Sequence, residues 1–231
     1  MGTIYLVRHG QASFGSKNYD QLSELGLQQS ILLGEYFART GIQFDTVLAG
    51  TLQRHAQTWH GITQGLKNKT HFNAHLSAMH HTALNEYDSD AIIRTLPEDD
   101  LELTSGTEKS VSIPAYFRKL RTGLELWMNG ATQPAGMPSY KAFEQDIMEV
   151  LTQLQQSNIA NALIISSGGP ITTAIGHILG VMAPNRIALN LQLRNSSISE
   201  LQFSSRRISL NTFNTLPHLN PIEHAPLITH A

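Results

Sequence analysis

The run Ala162-Leu163-Ile164-Ile165-Ser166 constrains this chain more than any other segment. It offers no alternating polar face, so a strand here has to be covered on both sides, which is the signature of a parallel sheet with helices above and below it. It passes directly into Ser167-Gly168-Gly169-Pro170 and a helical pattern through Leu179. Two earlier runs repeat the arrangement. Thr3-Ile4-Tyr5-Leu6-Val7 is β-branched and aromatic and ends in Arg8-His9-Gly10-Gln11, where Gly10 lets the chain turn. Thr46-Val47-Leu48-Ala49-Gly50 precedes a helix from about Leu52 to Leu66. Between them Ser23-Glu24-Leu25-Gly26 starts a helix whose apolar period includes Leu27, Ile31 and Leu32, and Thr40-Gly41 stops it. Lys67 to Asp90 is polar and His-rich and reads as loop with one short strand. Ile113 to Asn129 and Tyr140 to Gln156 are helical, flanking a Gly/Pro-rich stretch, and two more strands lie near Ser196–Phe203 and Arg207–Thr212. Strands alternating with helices specify a three-layer α/β/α fold with a mostly parallel central sheet. The 231 residues suit one domain over the whole chain, with a small helical cap inserted at about 90–137.

Composition removes several function classes. Charged residues make up 15% of the chain and the net charge is -2, so no global field recruits nucleic acid or an acidic membrane surface. The absence of cysteine excludes disulfides, thiolate nucleophiles and cysteine metal sites. Arg8 interrupts the first apolar run, which is therefore neither a signal peptide core nor a membrane span, and Leu6 breaks the myristoylation pattern begun by Met1-Gly2. A cytoplasmic location is the expectation. No Gly-x-Ser-x-Gly elbow and no Gly-x-x-x-x-Gly-Lys-Ser/Thr loop occurs, so serine hydrolase and P-loop chemistry have no support. His71 and His75 have i, i+4 spacing but no third ligand beside them in sequence, and no metal is expected.

Three strand ends carry the chemistry. The first brings Arg8 and His9 to the carboxyl edge of the sheet, where ligands bind in open α/β folds. The second places Arg54 in the first turn of its helix, a position unfavourable for a cation unless an anion lies there too. The third is the Ser-Ser-Gly-Gly-Pro turn, whose glycines permit close backbone approach and whose helix N-terminus offers N–H groups to a phosphate. Each has an ordinary structural explanation alone. Together they describe an anion pocket built around one histidine.

These segments resemble the histidine phosphatase superfamily, in its phosphoglycerate mutase-like branch. Arg8-His9-Gly10 is similar to the family signature at the end of the first strand. Tyr19 to Gly26 resembles the start of its first helix, and Ala49 to Thr58 the segment bearing its second arginine. Leu84-Asn85-Glu86 matches the segment of its catalytic acid. Ile164 to Pro170 matches its last core strand and turn, and Arg194 to Ser197 resembles the next strand. The resemblance spans residues 3 to about 203. It implies metal-independent phosphoryl transfer without a cofactor, in which His9 attacks phosphorus and a phosphohistidine forms. Arg8 and Arg54 would hold the phosphoryl oxygens, and Glu86 would protonate the leaving oxygen and later activate water. The two arginines would also keep His9 neutral. Gln11, Ser167 and Gly168 are the remaining expected phosphate contacts.

One departure from the family pattern stands out. A second histidine belongs before the Gly-Gly turn, and here that position is Ser167, which keeps a donor but loses the charge. Gly15 falls where many mutase-like members carry asparagine. His80 and His81, just upstream of Glu86, are the candidates to fill the gap, whereas His177 lies too far along its helix. The expected function is a phosphomonoester hydrolase acting on a small phosphorylated molecule and binding phosphate or sulfate, weakened at Ser167, as a monomer or homodimer. A non-catalytic phosphate-binding relative (a pseudoenzyme) is the alternative, and a mutase role is less favoured.

Overall fold

The computed structural model describes residues 1–13, 20–67, 76–97 and 113–230. Gly15, Tyr19, His71 and His75 lie outside these residues, as does part of the expected cap at 98–112. Six strands form one sheet: β1 (Gly2–Arg8), β2 (Thr46–Ala49), β3 (Ala78–His80), β4 (Asn161–Ser166), β5 (Ile198–Ser204) and β6 (Arg207–Thr215). Their order is β3-β2-β4-β1-β5-β6. The first four are parallel, and β5 and β6 close one side in antiparallel pairing. Among the described residues seven α-helices accompany the sheet: α1 (Glu24–Thr40), α2 (Gln53–Lys67), α3 (Ser89–Ile93), α4 (Ile113–Met128), α5 (Tyr140–Gln156), α6 (Gly168–Leu179) and α7 (Ala183–Gln192).

The apolar run at 162–166 does what its composition requires. β4 sits between β1 and β2, with Ile164 opposite both Leu6 and Leu48. Side chains alternate across a strand. Ile4, Leu6, Leu48, Ala162 and Ile164 accordingly enter one core with α4, α5 and α6, whereas Val7, Val47, Leu163 and Ile165 enter a second core with α1 and α2. No side chain in the centre of β4 meets water, and all its apolar residues are fully buried.

Local rules set the helix ends. Ser23 caps α1 by accepting from the Gly26 N–H at 3.1 Å, and Gly41 ends the helix at a φ of 72°, a left-handed conformation that glycine adopts without a Cβ clash. On α4, Leu120, Leu124 and Trp127 are buried in the first core, with the Trp127 ring edge-on to Tyr140 at 5.1 Å. That anchoring leaves Tyr116 and Phe117, one turn earlier, half-buried toward the carboxyl edge of the sheet.

Candidate active site

At that edge Arg8, His9, Arg54 and Glu86 line one cavity of about 930 Å³. They come from the ends of three neighbouring elements: β1, the first turn of α2, and the segment after β3. Arg8, His9 and Arg54 are each less than a tenth exposed although they are polar. Fixed partners account for much of that burial. The His9 N–H of the main chain donates to Ser166 O at 2.9 Å, and the Arg8 N–H donates to Ser197 O at 3.1 Å. The Arg8 guanidinium donates to Leu193 O.

His9 is held in one tautomer. Its Nδ1 lies 2.7 Å from Gly10 O, and a carbonyl only accepts, so Nδ1 carries the proton and Nε2 keeps its lone pair. Burial, with the charges of Arg8 and Arg54 beside it, pushes the His9 pKa well below the usual histidine value. The ring is therefore neutral near pH 7 and nucleophilic at Nε2. Gly10 is required for a different reason from the sharp turn expected: its φ is not positive, and a Cβ there would lie 2.3 Å from Gly26 O. The loop after β1 packs directly onto the start of α1, which leaves no room for a side chain.

Glu86 is placed by a helix end. The Gly169 N–H at the start of α6 donates to Glu86 Oε1 at 3.0 Å, and a Cβ on Gly169 would lie 2.1 Å from that oxygen. The glycine turn thus admits a carboxylate, and at the helix end expected to offer its N–H groups to phosphate the Gly169 N–H serves Glu86. Burial raises the Glu86 pKa, outweighing Arg54, the Gly169 N–H and Arg8, which all favour the charged form. A raised carboxyl pKa suits a proton donor.

Arg54 meets an anion at its own helix end. Asp20 pairs with the Arg54 guanidinium at 2.8 Å and accepts from the Gln53 N–H at 2.9 Å. The helix N-terminus and the guanidinium both attract negative charge, so the position disfavoured for an unaccompanied cation is satisfied by a carboxylate.

The remaining expected residues are placed differently. Gln11 does not line the cavity; its side-chain oxygen accepts from Ser23 Oγ at 2.9 Å at the start of α1. His80 is exposed, with Nδ1 3.2 Å from Gly50 O, and His81 caps a short 3-10 turn by accepting from the Ala83 N–H. Neither lines the cavity. His177 faces Glu144 across 3.4 Å on the outer part of α6. Ser167 is fully buried, and its hydroxyl lies 2.8 Å from Nε2 of His55. Ser167 is also the N-cap of α6 yet makes no capping bond, because its hydroxyl is engaged with His55.

His55 is the residue that sequence reasoning passed over. Its ring is fully buried, 5.7 Å from the His9 ring, and lies against the Gly50 backbone. Burial and Arg54 lower its pKa to about 3, so it is neutral. The signal was present in the spacing: Arg54, His55, Thr58, Gly61, Ile62, Gly65 and Leu66 form the buried stripe of α2. A histidine on such a stripe, one position from an arginine of the site, has to find a buried polar partner. Tyr87 was also passed over. It accepts from the Asn190 side chain at 2.7 Å and lines the cavity beside Glu86.

Comparison with known proteins identifies the family and the fold. The family model described as histidine phosphatase superfamily (branch 1) matches residues 4–114 and 112–216. Among solved structures, a phosphoserine phosphatase variant from Entamoeba histolytica in complex with phosphoserine is similar at 19% identity, covering 95% of this chain and 100% of its own, with a TM-score of 0.62. A mycobacterial glucosyl-3-phosphoglycerate phosphatase is similar at 17% identity, over 93% and 99% of the two chains, with a TM-score of 0.63. A phosphoglycerate mutase from Bacillus anthracis is similar at 16% identity, over 94% of each chain, also with a TM-score of 0.63. At these identities the solved structures establish the fold. No curated protein sequence matches the chain. Among the described residues no helix is long and apolar enough to cross a membrane.

Proposed function

Because this chain belongs to the histidine phosphatase superfamily, branch 1, we propose that it is a phosphomonoester hydrolase working through a phosphohistidine at His9. The observation that carries the proposal is the state of His9: neutral, with Nδ1–H given to Gly10 O and Nε2 free to attack, in one cavity with Arg8, Arg54 and Glu86. In the first step Nε2 bonds to phosphorus as the ester P–O bond breaks, and Glu86 gives its proton to the leaving oxygen. Arg8 and Arg54 take the charge of the phosphoryl oxygens, with Arg54 exchanging Asp20 for the substrate. In the second step water attacks phosphorus and the Glu86 carboxylate takes its proton. The N–P bond then breaks and Nε2 recovers its lone pair. Throughout, Gly10 O holds the Nδ1 proton.

The test is hydrolysis of phenyl phosphate, whose leaving phenoxide needs a proton, from about pH 5 to pH 8 by wild type and His9→Ala, with acid-labile phosphate mapped by mass spectrometry. The first step needs neutral His9, present above its lowered pKa, and protonated Glu86, present below its raised one. The rate is expected to fall as pH rises through the Glu86 pKa and to vanish in His9→Ala. Wild-type turnover no greater than that of His9→Ala overturns the proposal, as does phosphate mapped to another residue. One observation favours the competing reading, a non-catalytic phosphate binder: the Ser167 hydroxyl is bonded to His55 and Ser167 does not line the cavity.

A further inference from the structure

The cavity extends well beyond what a phosphoryl group needs, and the walls of that extra space have a definite chemistry. Its volume of about 930 Å³ lies at the upper end of the range for small-molecule sites. The apolar and aromatic part of its lining is Leu52, Tyr87, Tyr116, Phe117, Leu120 and Leu191, with the polar Ser89 and Asn190 among them. Tyr116, Phe117 and Leu120 project from one side of α4, and the buried Trp127 and Leu124 fix that helix against the core. The rings of Tyr116 and Phe117 stand edge-to-face at 5.7 Å, so the wall is aromatic and ordered on rigid backbone.

The charges are divided just as clearly. Among the described lining residues the cations are Arg8 and Arg54, both at the phosphate end. Asp88 and Asp90 stand at the exposed mouth. The Tyr116 hydroxyl donates to Asp90 Oδ1 at 3.5 Å, holding that carboxylate beside the aromatic wall. Asp88 is the N-cap of α3 and pairs loosely with the exposed Arg94 at 3.8 Å. A substrate carrying a second anionic group would meet carboxylates where it needs a cation.

We propose that the preferred substrate is a phosphomonoester with a bulky apolar or aromatic alcohol part and no second anionic group, in contrast to a small phosphorylated carboxylic acid. This rests on the phosphohydrolase reading above and names its substrate class. The phosphoryl group binds between Arg8 and Arg54, and the alcohol part fills the space against Phe117, Leu120 and Leu191. Its far end faces Asp88 and Asp90, which accept a neutral or cationic group. Phosphoserine and 3-phosphoglycerate, the ligands of the similar Entamoeba histolytica phosphatase, leave the apolar wall unused and bring a carboxylate toward Asp90.

The experiment compares kcat/KM for 2-naphthyl phosphate, glycerol 2-phosphate, phosphoserine and 3-phosphoglycerate in wild type, Phe117→Ala and Asp90→Asn. The naphthyl ester is expected to exceed either phosphorylated acid by at least about tenfold, the lower end of what an apolar pocket discriminates. Phe117→Ala should lower kcat/KM for the naphthyl ester more than for glycerol 2-phosphate. Asp90→Asn should raise it for 3-phosphoglycerate. A wild type that prefers 3-phosphoglycerate or phosphoserine overturns the inference and leaves the hydrolase reading intact. A wild type that turns over none of the four overturns the hydrolase reading. In that event calorimetric affinities for 2-naphthyl phosphate and 3-phosphoglycerate still decide the ligand class, and equal or reversed affinities overturn it.

Discussion

Of the helices that begin at this site, α2 and α6 each hold a carboxylate from another segment against the N-terminus. At α2 the group is Asp20, on the Gln53 N–H and the Arg54 guanidinium; at α6 it is Glu86, on the Gly169 N–H. The local device is the same: orphan backbone donors and the positive end of a helix dipole attract an anion. The surroundings separate the two. The Asp20 side chain is about a third exposed and directly paired with a cation, whereas burial controls Glu86 strongly enough to raise its pKa against both arginines. In the proposed reaction one helix end is closed by a replaceable counter-ion and the other holds the proton donor. The chemistry of a carboxylate here is decided by what surrounds it, not by the helix end it occupies.

The comparison breaks first at Glu86. Replacing a positioned general acid typically costs two to four powers of ten in rate. Glu86→Gln should therefore lower kcat by about 10²- to 10⁴-fold on an ester with a poor leaving group, and remove the fall in rate at high pH. Equal activity in wild type and variant across that pH range would show that the α6 carboxylate is only a cap, like Asp20.

A second test uses the bond that joins the two helix starts, from His55 in α2 to Ser167 at the N-cap of α6. Ser167→His alone forces an imidazole into a fully buried site already holding the His55 ring, and overpacking of this kind costs about 1–3 kcal/mol. The single variant should show a lowered Tm, and adding His55→Ala should recover most of the loss. A Ser167→His variant as stable as wild type would mean that this contact does not limit the space.

The smallest effect belongs to Asp20. If the phosphoryl group replaces Asp20 on Arg54 as proposed, Asp20→Asn should change KM by less than about tenfold, within the range of partly exposed ion pairs, and leave the pH profile in place. A loss of kcat matching that of Glu86→Gln would erase the distinction between the two helix ends.

The fold was legible because its signals are local. Residues 162–166 lack any polar face, Ser23 and Gly41 bound α1, and the patterned stretches at 113–129 and 140–156 are helices as expected. The grouping of Arg8, His9, Arg54 and Glu86 as candidates was legible as well, since strand ends and the family pattern name them without coordinates, and they line one cavity. The partners were not. His80 and His81 stand near Glu86 in the chain, but the short 3-10 turn at 82–84 that His81 caps separates them from it, and neither reaches the cavity. His55 is far from Ser167 in sequence and in bonding distance of it in space.

What the sequence by itself determined is the strands and the helices α1, α2, α4, α5 and α6, though not α3 or α7, and the expectation of an anion pocket at Arg8, His9 and Arg54 with serine at position 167. Periodicity, capping and motif are properties of residues a few positions apart, and a single chain displays them. Only the tertiary structure decided that the Gly169 N–H serves Glu86, that Asp20 occupies Arg54, that His55 meets Ser167, and that aromatic residues of α4 wall the cavity. Those pairings join segments tens of residues apart. They arise from the register β1–β4–β2 and the burial that comes with it, and burial is also what sets the proton affinities of His9 and Glu86.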